Sequence, residues 1–142
     1  MPSSGISQGQ RGSRKVRAMP EGSIQYKRRW RYYRTSSGAC PVEDFLDTLT
    51  EADAASVLAA MKEVQEEGNR VAHFLRGEIY EARARGKDRI YRVLFSQEGK
   101  HDRILLALEA FPKKTDKVPD HEIELAQKRL ADWRSRGQQP SR

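Results

Sequence analysis

The sequence predicts an α+β domain with a small, mostly antiparallel sheet of about four strands, a helical hairpin before the last three strands and a helix after them. The run Ile79–Arg85 alternates apolar and charged residues, as expected of a half-buried strand. The runs Arg89–Phe95 and Arg103–Phe111 are almost continuously apolar, which is typical of central strands. Segments with helical spacing of apolar residues lie on both sides of these runs, so the predicted order is β-α-α-β-β-β-α.

The first predicted strand covers Gln25–Thr35, where aromatic and basic residues are interleaved. Trp30 and Tyr32 share one face of this strand. Such a pattern could stack on and neutralise a nucleic acid. It also fits an edge strand whose aromatic side chains face the core while its charges protect the outer face. We favour the edge strand and keep both interpretations open.

The helical hairpin is predicted from two adjacent apolar stripes. The first helix starts at Pro41, a residue suited to the first helical position, and its stripe ends at Leu49. Thr50, with Asp53 three residues later, resembles a cap for the second helix, and Gly68 is placed to end it.

The remaining segments are a connector and a final helix. Arg70–Glu78 is expected to be a connector pinned to the core by Val71, Phe74 and Leu75. Asp120 is expected to cap the last helix, which should run from His121 to about Arg136.

Charge is unevenly distributed along the 142 residues, whose net charge is +7. Residues 1–34 hold nine basic residues and one acid, which leaves 18 basic and 19 acidic residues for the other 108. We predict a disordered basic arm at 1–23, one domain at 24–136 and a flexible tail at 137–142. The single cysteine, Cys40, fits a reducing compartment, and no apolar run is long enough to span a membrane.

The sequence offers little for metal or nucleophilic chemistry. His73, His101 and His121 are scattered, and Cys40 has no plausible histidine partner. Neither a zinc-type spacing nor a glycine-rich phosphate loop occurs, so we predict no metal and no cofactor.

A set of cations remains as the candidate site. It comprises Arg83 and Arg92 on the predicted strands and Lys113, Lys114 and Lys117 after them. Arginine and lysine suit phosphoryl chemistry, in which charge develops on non-bridging oxygens.

Arg92 is the most informative member because it lies within an apolar run, where a guanidinium needs a partner. Glu81 and Glu109, on the neighbouring strands, are candidates for a structural pair. Alternatively, Arg92 projects into a cleft and binds a phosphate. These two interpretations are compatible.

Four short motifs follow one another along the chain. They are Gly38…Pro41-Val42…Phe45-Leu46…Leu49, Tyr80-Glu81-Ala82-Arg83, Tyr91-Arg92-Val93-Leu94-Phe95, and Phe111-Pro112-Lys113-Lys114-Thr115 followed by Pro119, Ile123-Glu124-Leu125-Ala126 and Arg129. In this order they resemble motifs of the RelE/HigB toxins of bacterial type II toxin–antitoxin systems, in particular the phage-derived HigB-like branch. The resemblance extends from about Trp30 to Trp133, and Ala82 replaces the usual leucine.

The resemblance implies a microbial-ribonuclease-like fold and a ribosome-dependent mRNA endonuclease, in which the ribose 2′-hydroxyl attacks the adjacent phosphate. It assigns contact with the scissile phosphate to Arg92, and charge stabilisation or general acid catalysis to Lys113 and Lys114. RNA binding is expected from four further residues, namely Arg83, Arg85, Tyr91 and Lys117.

The resemblance also implies partners: a cognate antitoxin, usually a helix-turn-helix protein, together with the ribosome and mRNA in the cytoplasm. No residue matches a general base. A lysine with a lowered pKa could serve, or the ribosome could position the RNA while the toxin stabilises charge. The competing hypothesis is a non-catalytic nucleic-acid-binding protein, or an inactive toxin relative that acts in a repressor complex.

Overall fold

The computed structural model describes residues 27–137, which form three α-helices and a five-stranded sheet. The predicted arm at 1–23, the start of the first predicted strand and residues 138–142 of the predicted tail lie outside this range. The elements are β1 (Arg29–Tyr32), α1 (Pro41–Asp47), α2 (Glu51–Glu67), β2 (His73–Arg76), β3 (Ile79–Arg85), β4 (Ile90–Glu98), β5 (Ile104–Pro112) and α3 (Asp120–Ser135).

The sheet is mixed, with strand order β1-β5-β4-β3-β2. The three pairs from β2 to β5 are antiparallel, whereas β1 runs parallel to β5. The prediction of about four mostly antiparallel strands was therefore only partly right. The additional strand is β2, which lies in the segment predicted to be a connector. Gly77 and Glu78 both have positive φ, as a two-residue hairpin turn requires, and they reverse the chain from β2 into β3.

The two predicted helices before β2 are present, and their ends match the sequence signals. The Thr50 hydroxyl accepts a hydrogen bond from the Asp53 amide at 3.1 Å, and Gly68 ends α2 with a φ of 63°. The hairpin description was only partly right, however. α1 has only seven residues and packs mainly on β5, whereas α2 packs mainly on β3. Each helix is therefore held by the sheet.

Helices cover both faces of the sheet and create two cores. Val57 and Met61 of α2 pack with Phe95 on one face. On the other face, Ile123 and Ala126 of α3 pack with apolar residues of β3, β4 and β5. Each fully buried large apolar side chain contributes roughly 1.5–3 kcal/mol. The two faces are therefore both stabilised, and a site on the sheet must lie beyond the ends of the helices.

The aromatic residues of β1 face the core, which confirms the edge-strand interpretation. Trp30 packs edge-to-face on Phe95, with 5.1 Å between ring centroids, and its indole N–H donates to the Met61 carbonyl at 2.8 Å. Arg28 donates to the Gln65 carbonyl at 2.8 Å. These two contacts hold β1 against the C-terminal half of α2, and Gln65 lies in the last turn, where carbonyls lack partners within the helix.

Two further expectations were wrong. Phe74 does not pin its segment to the core: it is 61% exposed on β2, because β2 is an edge strand. Asp120 does not cap α3, since Pro119 occupies the cap position and the Asp120 carboxylate pairs instead with Arg76 at 2.9 Å. No helix within residues 27–137 is long and apolar enough to cross a membrane.

Candidate functional site

The candidate cations lie beside one another on the sheet face that α3 partly covers. Arg83 of β3 is the register partner of Arg92 of β4, which is opposite Phe111 of β5. Register partners in adjacent strands point to the same face, so these three side chains form a row across the sheet. Lys113 follows immediately after β5, and its amide donates to the Ile90 carbonyl at 2.7 Å.

Arg92 lies completely inside the protein. Its Nε is 2.8 Å from a carboxylate oxygen of Glu81, and both side chains are fully buried. One terminal nitrogen, Nη2, donates to the carbonyls of Thr115 and Asp116 at 2.8 and 2.6 Å. The other, Nη1, has no hydrogen-bond partner among the described residues. The structural Glu–Arg pair is thus present, and Glu81 rather than Glu109 is the partner.

Glu81 joins the buried arginine to an accessible one. Its carboxylate accepts a hydrogen bond from the Arg83 Nε at 3.1 Å, and the Arg83 side chain is 46% exposed. One carboxylate therefore holds two guanidinium groups, one inside the sheet and one at its surface. Arg83 is positioned by this contact while part of its guanidinium faces solvent.

The segment from Lys113 to Val118 covers the guanidinium of Arg92. Its Thr115 hydroxyl donates to the Lys117 carbonyl at 2.6 Å, and the Val118 side chain is buried. The Lys113 side chain is 26% exposed, and its ammonium is 3.4 Å from Asp116, a fully exposed carboxylate. Lys114 and Lys117 are exposed. Arg92 therefore fixes the backbone that carries all three lysines.

Arg85 and Tyr91 illustrate how the sheet separates residues that are close in sequence. Arg85 is exposed on the same side of β3 as Arg83. Tyr91 is buried on the opposite face in the α1–α2 core, where its hydroxyl donates to Asp53 at 2.5 Å. Tyr91 therefore lies on the face opposite Arg83 and Arg92, behind the turn between β3 and β4, and its contact with RNA stays a prediction.

Asp53 anchors the turn between β3 and β4. Besides the Tyr91 hydroxyl, it accepts a hydrogen bond from the Lys87 amide at 2.9 Å. These hydrogen bonds, with that of Tyr91 as the larger cause, hold the pKa of Asp53 below its usual value. The same contact with Asp53, together with burial, raises the pKa of Tyr91. The pair is thus a hydroxyl donor and an ionised carboxylate, which connects α2 to the basic turn.

A second ion pair borders the site on the α3 side. Arg129 donates to the Leu108 carbonyl at 2.8 Å and to Glu109 at 3.0 Å. Burial lowers the pKa of Arg129 and raises the pKa of Glu122. The electrostatic attraction between these two residues opposes both shifts. Arg129 was recognised in the sequence only as part of a motif, because nothing local to it indicates its partner on β5.

Within residues 27–137, no group of three or more histidine, cysteine, aspartate or glutamate side chains is arranged to hold a metal ion. The side chains that the structure gathers here are cations, with Glu81 as the buried counter-charge. This set can bind anionic oxygen atoms. The sequence did not reveal that the backbone carbonyls of Thr115 and Asp116 bind Arg92, because every residue has a backbone carbonyl.

Comparison with known protein families gives a match that covers the candidate site. A family model described as "Phage derived protein Gp49-like (DUF891)" matches residues 44–131, which is more than half of the chain. The match includes Arg83, Arg92 and the lysines after β5. No curated protein has a significant match to the chain.

Proposed function

Because the chain belongs to the phage-derived Gp49-like family, a RelE/HigB-like toxin family associated with toxin–antitoxin systems, we propose that it is a toxin of the HigB-like branch. Its activity in this proposal is ribosome-dependent endonucleolytic cleavage of mRNA in the cytoplasm. Its partners are the ribosome, mRNA and a cognate antitoxin, a helix-turn-helix protein that neutralises it.

The observation that supports the proposal best is the pair of accessible cations beside the buried Glu81–Arg92 pair. Arg83 and Lys113 are both partly exposed. Glu81 holds the Arg83 guanidinium, and the hydrogen bond to the Ile90 carbonyl holds the Lys113 backbone. Positioned cations that need no rearrangement are effective where charge develops on phosphate oxygens. This arrangement therefore fits a phosphodiester better than a neutral substrate.

In the proposed reaction, the 2′-oxygen of a ribose forms a bond to the adjacent phosphorus, and the bond from phosphorus to the 5′-oxygen breaks. The 2′-hydroxyl loses its proton, and the 5′-oxygen gains one. Lys113, with Lys114 next to it, stabilises the charge on the non-bridging oxygens or protonates the leaving oxygen, and Arg83 holds the RNA backbone. The chemistry is metal-independent because side-chain cations meet the developing charge.

Arg92 keeps an essential place in the proposal, with a different task from that implied by the resemblance. Its guanidinium is fully buried and bound to Glu81 and to two carbonyls of the segment after β5. We therefore assign it the role of a positioning residue, which orients Arg83 through Glu81 and Lys113 through the backbone.

A non-catalytic RNA-binding protein is the second candidate, and the burial of Arg92 favours it. An arginine sealed inside the sheet stabilises the fold whether or not the neighbouring cations perform chemistry. In this case the same surface binds RNA and leaves it intact, for instance in a repressor complex with the antitoxin.

Cleavage of mRNA on purified ribosomes separates the two candidates. We expect wild-type protein to produce new 5′ ends inside the coding region, and only when the mRNA is being translated. Lys113→Ala should lower the cleavage rate about 10²-fold or more, as removal of one transition-state donor does in other enzymes. Lys100→Ala is the matched control, because Lys100 is an exposed lysine at the opposite end of β4.

The outcomes are distinct. Equal cleavage by wild type and Lys113→Ala would remove Lys113 from the proposed mechanism. Binding of wild type to the ribosome or RNA without any cleavage would establish the second candidate instead.

A further inference from the structure

The turn between β3 and β4 forms an open pocket with Lys113, and four cations line it: Arg85, Lys87, Arg89 and Lys113. Asp88 is the one carboxylate among the lining residues. We propose that this hairpin pocket binds a second phosphodiester of the RNA strand, next to the phosphate held by Arg83 and Lys113. The identity of the strand as RNA rests on the proposed function, whereas the phosphate site is argued from the pocket itself.

Carboxylates offset only part of the positive charge of the pocket: Asp88 lies in its lining, and Asp53, behind the turn, interacts electrostatically with Lys87 and Arg89. Arg85, Lys87 and Arg89 are exposed, and none of them forms an ion pair with a carboxylate in the described part of the chain. Among residues 27–137, the Lys113 ammonium pairs only with the fully exposed Asp116, and water and salt screen such a pair strongly. An anion can therefore bind here without first breaking a strong interaction within the protein.

The pocket is held rigid from behind. Asp53 accepts a hydrogen bond from the Lys87 amide, and the Gly86 amide donates to the Arg89 carbonyl at 2.8 Å. Gly86 has no room for a side chain, since a Cβ atom there would be 2.6 Å from the Tyr91 ring. A turn fixed in this way loses little conformational entropy when a ligand binds. This buttress uses the Lys87 backbone and leaves its side chain free.

The position of the pocket indicates an extended polyanion. Arg83 and Arg85 point to the same side of β3, and residues two apart in a strand are separated by roughly 6.6 Å. The pocket lies where this row ends, so the cations continue along one path from the sheet face to the turn. Ile90 is the only large apolar residue in the lining, and it is half-buried. The pocket therefore lacks the aromatic or large apolar anchors that usually dominate protein interfaces.

Binding of a fluorescent, 2′-O-methylated RNA oligonucleotide tests this site separately from cleavage, because the modified strand has no 2′-hydroxyl to attack. Fluorescence anisotropy across a series of salt concentrations gives the slope of log K against log[salt]. Each phosphate neutralised on a single strand contributes about 0.7 to that slope. We expect the double variant Lys87→Ala/Arg89→Ala to bind more weakly and to lose about 0.7 from the slope.

The control is Lys62→Ala/Lys100→Ala, which removes the same number of exposed cations from α2 and from the far end of β4. Its salt slope should match the wild type. Circular dichroism and thermal unfolding should show that all three proteins are folded, since the side chains of Lys87 and Arg89 make no hydrogen bond with other described residues.

Equal slopes for the two double variants, or absence of RNA binding by the wild type, would overturn the proposal. So would a Lys87→Ala/Arg89→Ala variant that binds RNA normally but escapes its antitoxin, because the pocket would then be a protein-binding site. If the double variant lowers the slope while wild type cuts no mRNA on ribosomes, the phosphate site stands and the cleavage proposal fails.

Discussion

Replacing Arg92 by alanine tests the central ion pair of the site. The substitution leaves the fully buried Glu81 carboxylate with Arg83, whose side chain is 46% exposed, as its only remaining ion-pair partner in the described structure. Removing one partner of a buried pair costs about 3–5 kcal/mol, because the other charge stays desolvated. With an unfolding entropy of about 2.1 cal/mol/K per residue over residues 27–137, this loss lowers Tm by about 13–21 °C.

Urea and thermal unfolding measure this effect directly. Arg83→Ala is the matched control: it removes an arginine from the same carboxylate, and as a partly exposed partner it should cost only about 0–1 kcal/mol. Arg92→Met combined with Glu81→Leu should recover most of the lost stability, since an apolar pair leaves no buried charge. A loss of less than about 1 kcal/mol for Arg92→Ala would refute the structural role of the pair.

Two further predictions concern the anchor behind the β3–β4 turn. Since the folded-state pKa of Asp53 is lowered, its contribution to stability is present above the unfolded value near 3.8 and is lost as pH falls through the folded pKa. The Tm of Asp53→Asn should therefore be below that of wild type at pH 7, and the two Tm values should converge towards pH 2. Parallel curves of Tm against pH would contradict this. Gly86→Ala should cost about 1–3 kcal/mol in urea unfolding, because the Tyr91 ring and the Asp53 carboxylate hold each other in place and cannot move aside. An unfolding free energy equal to that of wild type would contradict this.

The parts of the fold that could be predicted are those with strong local signals. The bounds of β3 agree with the predicted Ile79–Arg85, because alternation over seven residues is hard to mistake. Thr50 and Gly68 marked the ends of α2 through their own side-chain and backbone chemistry. β2 gave no such signal: it has four residues, and its Phe74 is exposed. The parallel direction of β1 depends on the path of the whole chain, which no local pattern contains.

The same distinction applies to the site. An arginine in an apolar run indicated a buried pair, and the neighbouring strands supplied the two candidate partners. The carbonyls that bind Arg92 could not be identified, since they belong to a segment 23 and 24 residues away. Tyr91 was expected among the RNA-binding residues, and strand alternation puts its side chain on the face opposite that of Arg92.

The parallel pairing of β1 with β5 determines when the protein can finish folding. Arg29 is paired with Ile104, so the first strand of the domain must wait for the last one before it gains a hydrogen-bonded neighbour. The antiparallel strands β3, β4 and β5 follow each other directly and close short loops, which form faster than such distant contacts. During synthesis, the segment carrying Trp30 and Arg28 therefore stays unpaired until β5 has been made. Until then a nascent chain has no complete sheet, and no complete basic surface, because Lys113 follows β5.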